Sequence, residues 1–489
     1  MELRSFARGG LLGLLALVVE KAVALVLVIG LARLLSPVDY GRYSFLIAYL
    51  TLFQVLAELG TEQILLRRLG AARERAERDR LVAGALGLRV TLALVACASA
   101  VALAPLAGGG DPALLRRTAL AGAALLFTAQ PGYRALFRAE LRMGAVLGCA
   151  VATNALVLAL VGVALAAGFG LDGVLVALAA ANLAGFAVAA FVGRDLFRLR
   201  LAVDLPLWRE LVHDAWPVGA NVFVITLALR MGPLLLMRLR GPVEVGWFSS
   251  ASRLVDALNL LPDAAMLTVY PLFVRFATTR PDSLRALAEI VAKLLAVALL
   301  CVIVVVSQVA SEVMGGLFRP EFAVAGGALA LLSWSALLAA LGAVYGNLLI
   351  AVGRQRVLFR VNCAAVALQI VLQLVLIPWR GVDGAALAVV LTAVASHATL
   401  YALAATRTWV RPCVHAAAAP TGLALVLLGV GGMLPGGSWA RAAVLLAAFL
   451  ALLLLTRLVG ARDVRVLREL LRTHDEEPVA TPPVPALEP

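Results

Sequence analysis

Four basic residues stand inside long apolar runs: Arg230, Arg253, Lys21 and Arg89. At the centre of a helix in lipid each charge costs roughly 2.5–3.5 kcal/mol on insertion scales, so each is expected to face protein or a wet cavity. Arginine holds phosphate oxygens in pairs with its planar fork and stays charged when desolvated. That chemistry suits Arg230 and Arg253 to holding an anion, with Lys21 and Arg89 as further cavity residues. The competing reading is an internal salt bridge: Asp256 follows Arg253 by one helical turn, and Glu20 or Glu58 stands within reach of Lys21. Glu58, Asp256 and Glu20 are therefore the candidates for charge balance or proton coupling. Asn154, Asn221, Asn259 and Asn347 punctuate other apolar runs, where such amides more often bond across helices. The five cysteines and four histidines are scattered singly. Neither paired thiols nor zinc spacing is visible, so no metal and no cofactor is expected.

These residues need a scaffold, and composition says which kind. The chain has 489 residues, 63% hydrophobic and 15% charged, with a mean hydropathy of +0.98. Soluble domains run nearer to half apolar and a quarter charged, so lipid must be part of the solvent and a soluble enzyme is excluded. Apolar stretches of about 20 residues occur near 10–34, 43–66, 81–105, 117–138, 143–168, 172–193, 214–237, 245–272, 286–310, 324–351, 357–379, 382–405, 415–434 and 439–459. The fold class expected is all-α integral membrane, with about 14 transmembrane helices. Every second loop is rich in arginine, as in Arg67/Arg68/Arg78/Arg80 and Arg354/Arg356/Arg360. The positive-inside rule makes those loops, and both termini, cytoplasmic. The net charge of +13 thus reports topology and no nucleic-acid partner, because no basic domain with interleaved aromatics stands outside the apolar runs. The loops on the other side are short and leave no room for an external catalytic domain. The segment Arg194 to Trp216 reads as an amphipathic interfacial linker. The tail beyond Leu471 is polar and Pro-rich and reads as disordered.

The chain also repeats itself. Arg33-Leu-Leu-Ser-Pro37-Val-Asp39-Tyr-Gly41-Arg-Tyr-Ser44 is echoed by Arg238-Leu-Arg-Gly-Pro242-Val-Glu244-Val-Gly246-Trp-Phe-Ser249. A second echo joins Gly170-Leu-Asp172-Gly173 to Gly381-Val-Asp383-Gly384 at nearly the same offset. Two six-helix lobes in a parallel pseudo-two-fold repeat follow, with a cavity between them near the midplane. The expected organisation is 1–205 for the first lobe with its linker, 206–410 for the second, 411–460 for an added helix pair and 461–489 for a cytoplasmic tail. Proline and glycine at a loop start, with an acid capping the next helix, explain the echoes by structure alone.

The block Ala32 to Ser44, followed by Glu58-Leu-Gly60 and Arg67-Arg68, resembles the opening of Wzx-type polysaccharide-biosynthesis flippases. Gly246 to Arg253 and Tyr345 to Arg356 resemble the same family, which belongs to the multidrug/oligosaccharidyl-lipid/polysaccharide exporter superfamily. The resemblance covers the chain up to Gly460. It implies a MATE-like, V-shaped bundle in the bacterial inner membrane that flips undecaprenyl-pyrophosphate-linked oligosaccharide for surface polysaccharide synthesis. For that cargo the resemblance implies pyrophosphate or cavity contacts at Arg230, Arg253, Lys21 and Arg89, and glycan contacts at Asn154, Asn221, Asn259 and Asn347. A monomer working in lipid beside a polysaccharide polymerase complex is implied. Many relatives carry an acid in the seventh span, where this chain reads Leu229-Arg230-Met231-Gly232; carboxylate-based cation coupling at that place is therefore not expected. The rival readings are a drug/cation antiporter or lipid-II-type flippase of the same superfamily and, from another class, a membrane polysaccharide polymerase or ligase. The mostly cationic deep charges count against the first, and the short outer loops against the last.

Overall fold

The computed structural model describes residues 2–71, 74–108, 112–126, 136–137, 140, 142–194, 202–456 and 458. Arg73, Arg134, Arg138, Arg198 and Arg200 of the basic loops, and the expected tail, lie outside the described residues. The rest is helix: α1 Glu2–Leu34, α2 Pro37–Glu58, α3 Thr61–Ala71, α4 Arg75–Gly108, α5 Pro112–Leu126, α6 Met143–Ala166, α7 Gly170–Val192, α8 Leu205–Leu239, α9 Pro242–Leu258, α10 Leu260–Thr279, α11 Pro281–Leu317, α12 Gly326–Ala351, α13 Gln355–Ala402, α14 Arg407–Gly431 and α15 Ser438–Leu455. No strand occurs among the described residues. Ten helical stretches among them are long and apolar enough to cross a membrane. The long run Gln355–Ala402 counts once among the ten, although Gly381, at φ 55°, breaks it into two helices. The helix α2, which carries Tyr40, Tyr43, Tyr49 and Gln54, is not among the ten. The protein is a multi-pass, all-α membrane protein, as composition requires.

By its contacts the chain divides into two compact units, Met1–Leu260 with Val309–Ala336 and Phe359–Ser396, and Leu261–Gln308 with Leu337–Leu358 and His397–Pro489. Within the first unit both echoes have a physical explanation. The Ser36 hydroxyl accepts the backbone N–H of Asp39 at 3.1 Å and caps α2, with Pro37 at the first helical position. Pro242 opens α9 in the same way after Gly241, whose φ is 95°. Proline fits there because the first N–H of a helix has no partner in any case. Gly170 and Gly381 share a left-handed backbone, φ 57° and 55°, which residues with a Cβ rarely adopt. The acids that follow are placed alike: the Asp172 carboxylate pairs with Arg116 and Arg117 of α5, and that of Asp383 lies against Gly327 at the start of α12.

The first echo does more than start two helices. Helices α2 and α9 cross with Gly41 directly against the Pro242 backbone, so that a Cβ on Gly41 would overlap the Pro242 carbonyl. A Cβ on Gly246 would stand 3.1 Å from the Tyr40 ring and 3.4 Å from Gly41 Cα. Glycine at both positions lets the two repeated segments touch backbone to backbone.

Of the segment read as an interfacial linker, Arg194 and residues 202–216 are described, and the latter lead into α8; Val203, Leu205 and Trp216 are exposed, and one apolar stripe turns to protein. Leu207, Leu211 and Ala215, spaced four apart on one face, are buried with Leu69, Leu81 and Leu86 of α3 and α4. The neighbouring face places Glu210 and Asp214 on Arg68 at 3.0 and 2.8 Å. Asp204 caps α8 and accepts from Arg80 at 2.7 Å; that guanidinium, and then the Leu207 N–H, hold its carboxyl below the usual range. Trp208 donates to the Gly84 carbonyl at 2.8 Å. A basic loop, counted above as a topology signal, thus also anchors a helix. Within the second unit Tyr345 packs edge-on against His397 with ring centroids 5.3 Å apart, and Tyr401 bonds His415 at 2.8 Å. No group of three or more metal-ligating side chains occurs among the described residues.

Gly41→Val should lower the stability of the purified chain by about 1–3 kcal/mol through overpacking, read as earlier thermal unfolding in detergent. Gly30 of α1 has nothing within 4 Å of a built Cβ, so Gly30→Ala should be neutral or stabilising by about 0.5–1 kcal/mol.

Candidate functional site

A hollow opens within the first unit. Helix α1 contributes Val28; α2 contributes Tyr40, Tyr43, Ser44, Ile47 and Ala48; α8 contributes Leu229, Arg230 and Pro233; α9 contributes Phe248, Ser249, Ser252, Arg253 and Asp256. Arg230 stands nine residues before the end of α8 and Arg253 eleven after the start of α9. At 1.5 Å per residue they lie about 14 and 16 Å from the turn joining the two helices, near the middle of a hydrocarbon core about 30 Å thick. Equal depth follows from a short turn between antiparallel neighbours.

The lining is built on the duplication. Extending the spacing of 205 residues that separates Pro37 from Pro242 pairs Val28 with Pro233, Tyr43 with Phe248, Ser44 with Ser249, Ile47 with Ser252 and Ala48 with Arg253. Both members of all five pairs line the hollow. It therefore sits on the axis that relates the repeats, next to the Gly41 crossing. The two sides differ in charge. Arg230, Arg253 and Asp256 come from the second repeat, and their counterparts in the first are Leu25, Ala48 and Thr51. One wall carries the charges; the opposite one is uncharged, with Tyr40, Tyr43 and Ser44 among apolar residues.

The cations are not locked. The Arg230 Nε is buried without a hydrogen-bond partner. Arg253 Nη1 stands 3.7 Å from Asp256 Oδ2, close enough for Coulomb attraction and too long for a hydrogen bond. Pro233 has no N–H to give the Leu229 carbonyl, which adds an acceptor beside Arg230. Behind α8, Gln369 donates to the Ala228 carbonyl at 2.7 Å. Gln373, one turn on and fully buried, has both amide atoms unpartnered beside Gly232.

The other expected residues stand elsewhere. Arg89 is 4% exposed, donates to Thr61 Oγ1 at 3.0 Å and feels the charges of Glu58 and Glu62. Its Nη1 and Nη2 are buried without hydrogen-bond partners, and Gln54 donates to Glu58 at 3.1 Å. Lys21 is exposed on α1 and outside the hollow. Glu20 and Asn154 line a second hollow with Asn182, about 620 Å³. Asn154 and Asn347 donate to carbonyls one turn back at 2.8 Å. Asn259, with Oδ1 buried and unpartnered, and Asn221 are half-buried outside both hollows. Tyr43, Ser44, Ser249 and Ser252 were not among the expected site residues. Ser44 and Ser249 close the echoed blocks, and following that spacing into the helices would have found them.

Arg89 and Arg230 should respond differently when neutralised. Arg89→Met removes the hydrogen bond to Thr61 and the charge facing Glu58 and Glu62, and should cost about 1–3 kcal/mol. Arg230→Met removes a cation whose Nε has no partner and should leave thermal stability unchanged or higher. Thermal unfolding of the two variants in one detergent checks both.

Comparison with known proteins agrees with this architecture. No curated protein matches the sequence at a significant level. The solved structure of the lipid II flippase MurJ in an inward closed conformation is similar, with TM-score 0.69 and 10% identity, over 90% of this chain and 97% of that one. A multidrug resistance MATE family transporter of the MOP superfamily is similar in its inward-facing form, with TM-score 0.60 and 16% identity over 82% and 96% of the two chains. Its outward-facing form gives 0.58 and 15% over 85% and 96%. At these identities the likeness concerns the fold, which is the fold of that superfamily. A family profile described as polysaccharide biosynthesis protein matches residues 6–277, which takes in α1 to α9 and every residue lining the hollow. Since that match spans more than half of the chain, the protein belongs to the polysaccharide biosynthesis protein family.

Proposed function

We propose that this protein flips undecaprenyl-pyrophosphate-linked oligosaccharide across the bacterial inner membrane by alternating access, for surface polysaccharide synthesis. The observation that carries the reading is the pair Arg230 and Arg253 at mid-span depth, in a hollow on the repeat axis. A pyrophosphate needs cations that stay charged away from water, and the Arg230 Nε has no partner of its own. Ser249, Ser252 and Tyr43 supply hydroxyls beside them. The pyrophosphate is held at this hollow, with the glycan and the prenyl tail outside it. The lobes 1–205 and 206–410 rock against each other, and 411–460 forms the added pair. The arginine-rich loops place both termini in the cytoplasm, and the protein works as a monomer beside a polymerase complex. A membrane potential negative inside favours outward movement of an anion by roughly 2.3 kcal/mol per charge per 100 mV. Two arginines against one aspartate disfavour a cationic drug in this site.

Arg230→Ala and Arg253→Ala, made separately, should each cut surface polysaccharide at least tenfold at normal expression, with lipid-linked oligosaccharide building up in the inner leaflet. Normal polysaccharide in both would remove the arginines from the mechanism.

A further inference from the structure

The hollow holds two guanidinium groups and one carboxylate, so its lining carries one net positive charge when empty. That carboxylate, Asp256, is placed unusually for a structural ion pair. Charge-assisted N–H···O bonds close to about 2.7–2.9 Å, as between Arg68 and Asp214 at 2.8 Å in this chain. The Arg253 to Asp256 approach stays at 3.7 Å, with the two side chains 31% and 40% exposed. Asp256 makes no hydrogen bond among the described residues, whereas Thr51, its counterpart in the first repeat, is neutral and bonds the Ile47 carbonyl at 2.6 Å. Only the cationic repeat therefore carries an anion at this position, one turn from the cation it faces and on the lining of the hollow.

We propose that Asp256 is the resident counter-anion of the hollow: it holds Arg253 while the hollow is empty, and an anionic phosphate group of the cargo takes its place. This rests on the reading of the hollow as a phosphate site. A loose pair gives up Arg253 at little cost, because no hydrogen bond is broken, and it spares the empty hollow a second uncompensated cation at membrane depth. When the headgroup leaves, Asp256 retakes Arg253 and helps release it. Asp256 is thus a positioning residue that sets how tightly the anion is held.

Farnesyl pyrophosphate, a short prenyl pyrophosphate, serves as the probe, titrated calorimetrically into the full-length purified chain. Asp256→Asn should bind it five- to tenfold more tightly than wild type, about 1–1.4 kcal/mol, while cells carrying the variant make less surface polysaccharide because release slows. Binding and turnover moving in opposite directions is a result that mere loss of structure does not produce. Asp256→Glu should stay near wild type. In an Arg253→Ala background the gain from Asp256→Asn should vanish. Unchanged or weaker binding by Asp256→Asn, or a gain that survives without Arg253, overturns the proposal and leaves the phosphate site standing. A wild-type chain that does not bind the probe overturns both. Should Asp256→Asn not purify as a folded protein, Asp256→Ser carries the same expectations.

Discussion

The organisation of the site depends on how closely α2 and α9 approach. Two helices separated by ordinary side chains pack with axes about 8–10 Å apart, and glycines at the contact bring backbones nearer, as small residues do at membrane helix interfaces. Gly41 against Pro242, and Gly246 against Tyr40 and Gly41, use that freedom at one point of the crossing. Past that point the side chains lengthen, and the helices no longer fill the space between them. Tyr43, Ser44, Phe248 and Ser249 follow within a turn, and Arg253 lies two turns in. A tight crossing at one end and larger residues further along leave a hollow, and its place on the axis of the repeat follows from the crossing being made of equivalent segments.

Charge then distinguishes the two sides of a symmetric frame. A cation at mid-depth in lipid costs several kcal/mol, so a duplicated protein gains nothing by keeping it in both copies unless both are used. Here one copy has Arg253 where the other has Ala48, and Arg230 where the other has Leu25. The result is a hollow with its charges on one wall and an uncharged wall opposite. An amphiphile with a charged headgroup and a prenyl tail presents the same division. Arg89 shows a contrasting use of a buried cation, bonded to Thr61 and in the field of Glu58 and Glu62.

Several features were legible before any coordinates. Hydropathy identified the helices because a chain that must satisfy its backbone in lipid has little other choice than helix. Pro37, Gly41, Gly170 and their echoes marked helix starts and left-handed turns, since proline and glycine act on the backbone where they stand. Arg230 and Arg253 stood out because a charge inside an apolar run is rare for an energetic reason. What adjacency in the chain could not reveal was which face of each helix meets which partner. Lys21 and Arg89 also stood in apolar runs, yet one is exposed and the other is buried on Thr61 of another helix. The linker looked suited to a membrane surface, and the stripe Leu207, Leu211 and Ala215 packs on α3 and α4 instead. Sequence alone determined an all-helical membrane chain with a doubled plan and a few costly cations. Only the tertiary structure decided which of those cations share a hollow, because helix rotation and crossing depend on contacts between residues some 200 positions apart, and those leave no local pattern to read.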